Sequence, residues 1–290
     1  MAKLITRRDF IQGSAGAVAV AAVGLPPIQE PKTRVVMIRH PDVVDAASKV
    51  NGDLVQQMLD QAVMALAGVD EPVAAFKTLI KPGETVGIKS NNWSYLPTPP
   101  ELEQAIERRV VDAGVAKESV SIADGGVLRD PVFVNATSLV NVRPLRTHYL
   151  AGISGVMKNY IRFAENFQDW HPNNCADLGA LYYLPAVKGK TRLNVLSVLT
   201  PQFHSRGPHA FSRRYVWKYN GLLVSKDPVA VDAIGLELIK AKRREELGKA
   251  KELPPVPRHV ELADSRHKLG TSDLNKIDLI RLGWQDDILI

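Results

Sequence analysis

A single cysteine, Cys175, is all that the 290 residues contain. An internal disulfide is therefore excluded, and so is an iron–sulfur cluster held by cysteines alone or a cysteine-rich zinc site. Aromatic residues make up only 6% of the chain, and the net charge is a modest +6. A nucleic-acid surface calls for a basic stripe interleaved with aromatics, so no nucleic-acid partner is expected. No apolar run approaches the roughly 20 residues that span a bilayer. The G-x-S-x-G nucleophile elbow and the G-x-x-x-x-G-K-[ST] phosphate loop are both absent, and no segment repeats. What remains is a chain of ordinary hydrophobic content (45%), long enough to bury a core without staples.

The first thirty residues read as an address. Thr6-Arg7-Arg8-Asp9-Phe10-Ile11 precedes a short run padded with glycine and alanine and then Pro26-Pro27. Paired arginines, a phenylalanine and a weakly apolar run together match the signal of the twin-arginine route, which carries folded proteins out of the bacterial cytoplasm. The expected partner is the translocation machinery, the expected location is periplasmic or extracytoplasmic, and membrane contact is expected through this segment alone. Residues 1–30 hold three basic and two acidic residues, so the remainder keeps a charge of +5. That mild excess suits a small anionic ligand.

Residues 31–290 read as one α/β domain with a mostly parallel sheet, helices on both faces and an inserted β-hairpin. Arg34 to Arg39 is a buried first strand. Apolar residues from Leu54 to Leu66 recur at helical spacing, with Asn51 or Asp53 as cap and Gly68 as stop. A second helix spans 70–79. Strand 85–89, a helix capped by Thr98 and running to Ala113, and strand 119–123 follow in the rhythm of a right-handed crossover. Residues 127–147 show no clear period. A helix is expected over 174–184, a strand over 193–200, a hairpin over 215–225 around Asn220-Gly221, and a helix opened by Asp227-Pro228. Pro254 to Pro257 reads as a linker and 277–280 as a last strand.

In a parallel sheet, ligands bind beyond the carboxyl ends of strands. Two such ends, Lys89-Ser90-Asn91 and Asp124-Gly125, are polar. The stretch 148–177 adds His148, Lys158, Asn159, His171 and Asp177, with Gly152, Ser154 and Gly155 just before the lysine. Lys158, His171 and Asp232 are the candidate catalytic groups. Asp232 stands in an apolar helix with no basic residue three or four positions away, so Lys158 or Lys89 is its expected counter-charge. Lys89, Asn91, Asp124, Gly125, Asn159, His204, Arg206 and His209 are candidate ligand-binding residues. Arginine and histidine donors suit a carboxylate or phosphate. His148, His171 and His204 could hold a divalent metal, although no two histidines have the spacing of one helical face.

Several pieces resemble the domain of unknown function 362 family: Ile88 to Asn91 with Thr98 to Leu102, Ala123 to Gly125, Gly155 to Asn159, and above all Asn220 to Asp232. The resemblance implies an α/β fold and little chemistry. Many members carry a ferredoxin-like cysteine cluster, which Cys175 alone cannot form. The expected function is that of an exported protein acting on a small anion, either as an enzyme assisted by metal or lysine or as a noncatalytic binding or maturation protein.

Overall fold

The computed structural model describes residues 31–204, 211–248, 253 and 255–290. The signal segment, Arg206 and His209 lie outside the described residues. Residues 33–290 form one compact unit. It is built on an eight-stranded sheet: β1 (Thr33–Arg39), β2 (Val86–Lys89), β3 (Val120–Ala123), β4 (Ser138–His148), β5 (Gly152–Ser154), β6 (Thr191–Gln202), β7 (Gly221–Ser225) and β8 (Ile277–Gly283). The order is β3-β2-β4-β6-β7-β1-β8, with β5 paired to β4. β2 pairs in parallel with both β3 and β4, β4 pairs in parallel with β6, and β1 pairs in parallel with β8. Only β7 on the main path is reversed, lying antiparallel to β6 and β1.

Alternation of side chains along the strands separates two cores. Val36, Ile38, Ile88, Val140, Val142 and Val195 face three helices, α1 (Gly52–Ala67), α2 (Pro72–Leu79) and α3 (Pro100–Asp112). Val35, Met37, Leu139, Leu145, Leu196 and Val198 face the other side, under α4 (Val156–Asn159), α5 (Pro228–Leu247) and α6 (Arg258–Ser265). Each fully buried valine or leucine contributes about 1.5–3 kcal/mol.

The helix ends follow local chemistry where the local chemistry is unambiguous. The Asn51 side chain accepts from the N–H groups of Asp53 and Leu54, and Gly68 closes α1 in the left-handed region. Asp227 caps α5 through Val229 and Ala230, with Pro228 in the first turn. Thr98 does not cap α3. That helix starts at Pro100 without a side-chain cap, and the Thr98 hydroxyl instead accepts from Asn91 N–H at 3.2 Å.

Two further expectations are corrected. The helix over 174–184 breaks into one short turn at Pro172–Cys175 and a 3₁₀ stretch at Leu178–Tyr183. Asn173, Asn174 and Cys175 all have positive φ, which asparagine tolerates and a right-handed helix does not. The hairpin around Asn220-Gly221 is not a local insertion. Asn220, also at positive φ, turns the chain into β7, which then enters the middle of the main sheet.

Candidate functional site

β2, β3, β4 and β6 run in one sense, so their carboxyl ends lie along one edge of the sheet. β4 runs on to His148, and β5 folds back onto it with Arg146 opposite Ser154 and His148 opposite Gly152. The register of β4 against β6 shifts between Pro144 and Arg146. Proline cannot donate to a ladder, so the strand bends there. Beyond these ends opens a cavity of about 530 Å³, lined by Asn91, Trp93, Asp124, Arg143, Arg146, His148, Ser154, Lys158, Arg162 and His171 among others.

Its floor is cationic and buried. Arg143, Arg146 and Lys158 are each no more than 6% exposed. Arg146 lies over the Trp93 ring at 3.9 Å, yet its Nε and Nη1, like Arg143 Nε, have no hydrogen-bond partner among the described residues. Ser154 Oγ and Asn91 Oδ1 are likewise buried and unpartnered. Burial pulls the Arg143 guanidinium down to about 10, against the attraction of Asp124 and Asp232. Burial and the surrounding cations Lys158, Arg146 and Arg143 keep His148 neutral, and its Nδ1 accepts from Leu150 N–H at 3.1 Å.

Asp124 is the one carboxylate among the described lining residues. Both its oxygens are occupied, Oδ1 by Lys89 Nζ at 2.8 Å and Oδ2 by Asn92 N–H at 3.0 Å. Burial works against the ionised carboxylate, but Lys89 and this N–H outweigh it and lower its pKa. Lys89, fully buried, also donates to Ser90 O at 2.6 Å and Asn159 Oδ1 at 3.2 Å. The Asn159 amide returns the contact, donating to Lys89 O, Asn141 Oδ1 and Val142 O at 2.8–3.1 Å. Lys89 and Asn159 therefore tie β2, β4 and α4 together.

Lys158 is placed differently. Its Nζ meets His171 Nε2 at 3.2 Å and Cys175 Sγ at 3.9 Å, with no carboxylate in reach among the described residues. Burial lowers its pKa to about 8, opposed by Cys175 and reinforced by Arg143, Arg146 and Arg162. Burial followed by Lys158 likewise lowers the His171 imidazole.

Residues 101–237 match the family described as domain of unknown function (DUF362), and residues 4–24 match the twin-arginine translocation signal. Over that segment, a little under half of its length, the chain is similar to the DUF362 family. It is also an exported protein, directed to the periplasm or extracytoplasmic space. Neither the curated proteins nor the solved structures include a match. The DUF362 segment contains Asp124, Arg143, Arg146, Lys158 and His171, whereas Lys89, Asn91 and Trp93 come from the chain before it. No helix among the described residues is long and apolar enough to cross a membrane.

The expected pairing of Lys158 with Asp232 is wrong. Asp232 is fully buried, and its two oxygens accept from the N–H groups of Val156 and Met157 at 2.7 and 3.0 Å. The counter-charge is supplied by the start of α4, because the first amides of a helix have no intrahelical acceptor. Gly155 permits this approach: a Cβ there would run into the Asp232 carboxylate. Asp232 thus lies behind the lysine turn, while Lys158 and His171 meet at the cavity. His204 stands apart, with its Nδ1 2.9 Å from Arg243 Nη1, and does not line the cavity. His148 and His171 line it, but the three histidines do not converge, and the described residues hold no metal-type group of three. Gly125 lines an adjoining cavity of about 450 Å³.

Arg143, Arg146 and Trp93 are lining residues not singled out from sequence, whereas Ser154 belongs to the stretch that is. A period-two signal was present: Val140 and Val142 alternate with Asn141 and Arg143 in β4. Such a pattern ordinarily marks a strand with one solvated face. Here that face is buried around the cavity.

Proposed function

We propose that this exported protein binds a small organic molecule carrying at least two negative charges in the cavity at the carboxyl ends of β2, β3 and β4. The observation that carries the reading is the set of buried guanidinium N–H groups on Arg143 and Arg146 without a partner among the described residues. A charged donor left unsatisfied in a protein interior costs about 1–3 kcal/mol or more. A carboxylate or phosphate arriving from outside recovers that cost through forked hydrogen bonds. The lone lining carboxylate, Asp124, is already committed to Lys89 and Asn92. The cavity falls within the 300–1,000 Å³ typical of small-molecule sites and exceeds what an inorganic ion fills.

Titration calorimetry of the exported protein with oxalate, succinate, 2-phosphoglycolate and inorganic phosphate tests this directly. Acetate and putrescine serve as the monoanionic and cationic controls. An organic dianion is expected to bind at least tenfold more tightly than acetate, with affinity falling as salt is raised. Equal heats for acetate and the dianions, or none for any of them with the protein folded, would remove the reading.

A further inference from the structure

The two buried lysines near the cavity differ in what they touch. Lys89 gives its ammonium to three oxygens and is fully engaged. Lys158 lines the cavity, and its Nζ has only the His171 imidazole nitrogen and the Cys175 sulfur as neighbours within bonding range among the described residues. A lysine that were merely structural would be expected to carry a carboxylate, as Lys89 does.

The backbone on either side of Lys158 is fixed. Val156 and Met157 are held through their N–H groups by the Asp232 carboxylate, and Asn159 is locked by bonds to β2 and β4. The amine therefore projects from a rigid turn into a space where Arg143 and Arg146 offer unpaired donors. Rigid support of this kind is what a reacting group needs. Like-charged neighbours and burial favour the neutral, nucleophilic amine, and a neutral imidazole at 3.2 Å can accept its proton.

We propose that Lys158 is a nucleophile that condenses with the carbonyl carbon of a dianionic ligand, a 2-oxo dicarboxylic acid being the class, and holds it as an imine. The proposal rests on the anion-binding reading of the same cavity. The arginines take the carboxylate, which leaves the adjacent carbonyl facing the amine. The amine lone pair forms the C–N bond, and the carbonyl oxygen becomes a hydroxyl with a proton released from nitrogen. That hydroxyl then leaves as water on taking a second proton. In sum, one ammonium and one carbonyl give one iminium and one water, and nothing is oxidised or reduced.

The test is reductive trapping. The exported protein is incubated with oxomalonate, oxaloacetate or 2-oxoglutarate and sodium cyanoborohydride, then mapped by peptide mass spectrometry. At least one of the three is expected to give an adduct at Lys158 at least tenfold above that at any other lysine, Lys89 included. Oxalate should suppress it. Lys158→Arg and Lys158→Met should lose the adduct while keeping the circular dichroism spectrum. Oxalate binding seen by calorimetry with no Lys158 adduct from any of the three would overturn the imine and leave the anion pocket standing. Adducts spread evenly over exposed lysines would overturn it as well. Absence of both binding and adduct would remove the two readings together.

Discussion

Arg109, part-buried in α3, and Arg146, buried near the end of β4, are two arginines satisfied in different ways. Arg109, in α3, forks onto Asp60 of α1 with Nε–Oδ1 at 2.7 Å and Nη2–Oδ2 at 2.6 Å, and it also reaches Asp112. Gln56 completes the cluster by donating to Asp60. Among the described residues, Arg146 has a tryptophan ring beneath it, two unpaired donor atoms and no carboxylate. A guanidinium that serves the fold brings its counter-charge within the chain, because an unpaired buried charge is expensive. A guanidinium that lacks one has a use for a charge from outside. The same contrast separates Lys89 from Lys158, and the proposed anion site rests on it.

The comparison can be broken most severely at Asp232. Asp232→Ala leaves two buried N–H groups unpaired and should cost about 2–4 kcal/mol of stability, measured by denaturant unfolding. It should also weaken dianion binding, since the turn carrying Lys158 loses its anchor. A variant as stable as the parent would show that these contacts are dispensable.

The arginine pair comes next. Arg146→Gln should lower dianion affinity by about 10- to 100-fold, the equivalent of about 1.4–3 kcal/mol, and leave the melting temperature unchanged or raised. Arg109→Gln should do the reverse, costing about 1–2 kcal/mol of stability with affinity unchanged, because Asp60 is buried and would lose its fork while Arg109 itself is part-exposed and partly screened. Loss of stability without loss of affinity in Arg146→Gln would place that residue in the structural class instead.

A smaller effect is expected from pH. Lys158 is held at about 8 in the folded protein against an ordinary value of 10.5. As pH rises through 8 the ammonium is lost, so dianion affinity should fall, by up to about tenfold between pH 7 and 9. Folding stability moves the other way. Between about 8 and 10.5 the unfolded chain binds the proton more readily than the folded one, so Lys158 contributes stability that is fully present above 10.5 and lost as pH falls through about 8. Lys89 behaves alike, its pKa lowered to about 8 by burial against Asp124. Calorimetry across pH on the parent and on Lys158→Met separates the contributions, and the variant should show a flatter affinity profile. The smallest expected effect is the stability of Lys158→Met itself, near neutral, since Asp232 is paired with backbone N–H groups and not with this lysine.

Much of the frame is written in local pattern. The α1 periodicity with Asn51 and Gly68 at its ends, the β2–α3–β3 rhythm and the Asp227-Pro228 start of α5 are choices the backbone makes within a few residues. The strand ends at Lys89 and Asp124 could be placed on one edge of the sheet because crossover topology carries parallel strands in one sense. The central strand β4 resisted reading. Its sequence, Ser138 to His148, mixes valines with asparagine, arginines and a proline, and only a sheet buried on both faces gives that mixture a meaning.

By itself, then, the chain's sequence determined its export through Arg7-Arg8, its alternation of strands and helices, and the neighbourhood of the candidate site, since propensity, capping and crossover handedness act over short separations. Tertiary structure alone decided which charges are paired. Asp232 meets amides 75 and 76 residues away, Lys89 meets Asp124 at a separation of 35, and Arg146 meets no carboxylate at all among the described residues. Burial and partnership depend on what the fold brings into contact, and that contact energy is where a structural charge and a ligand-seeking one part company.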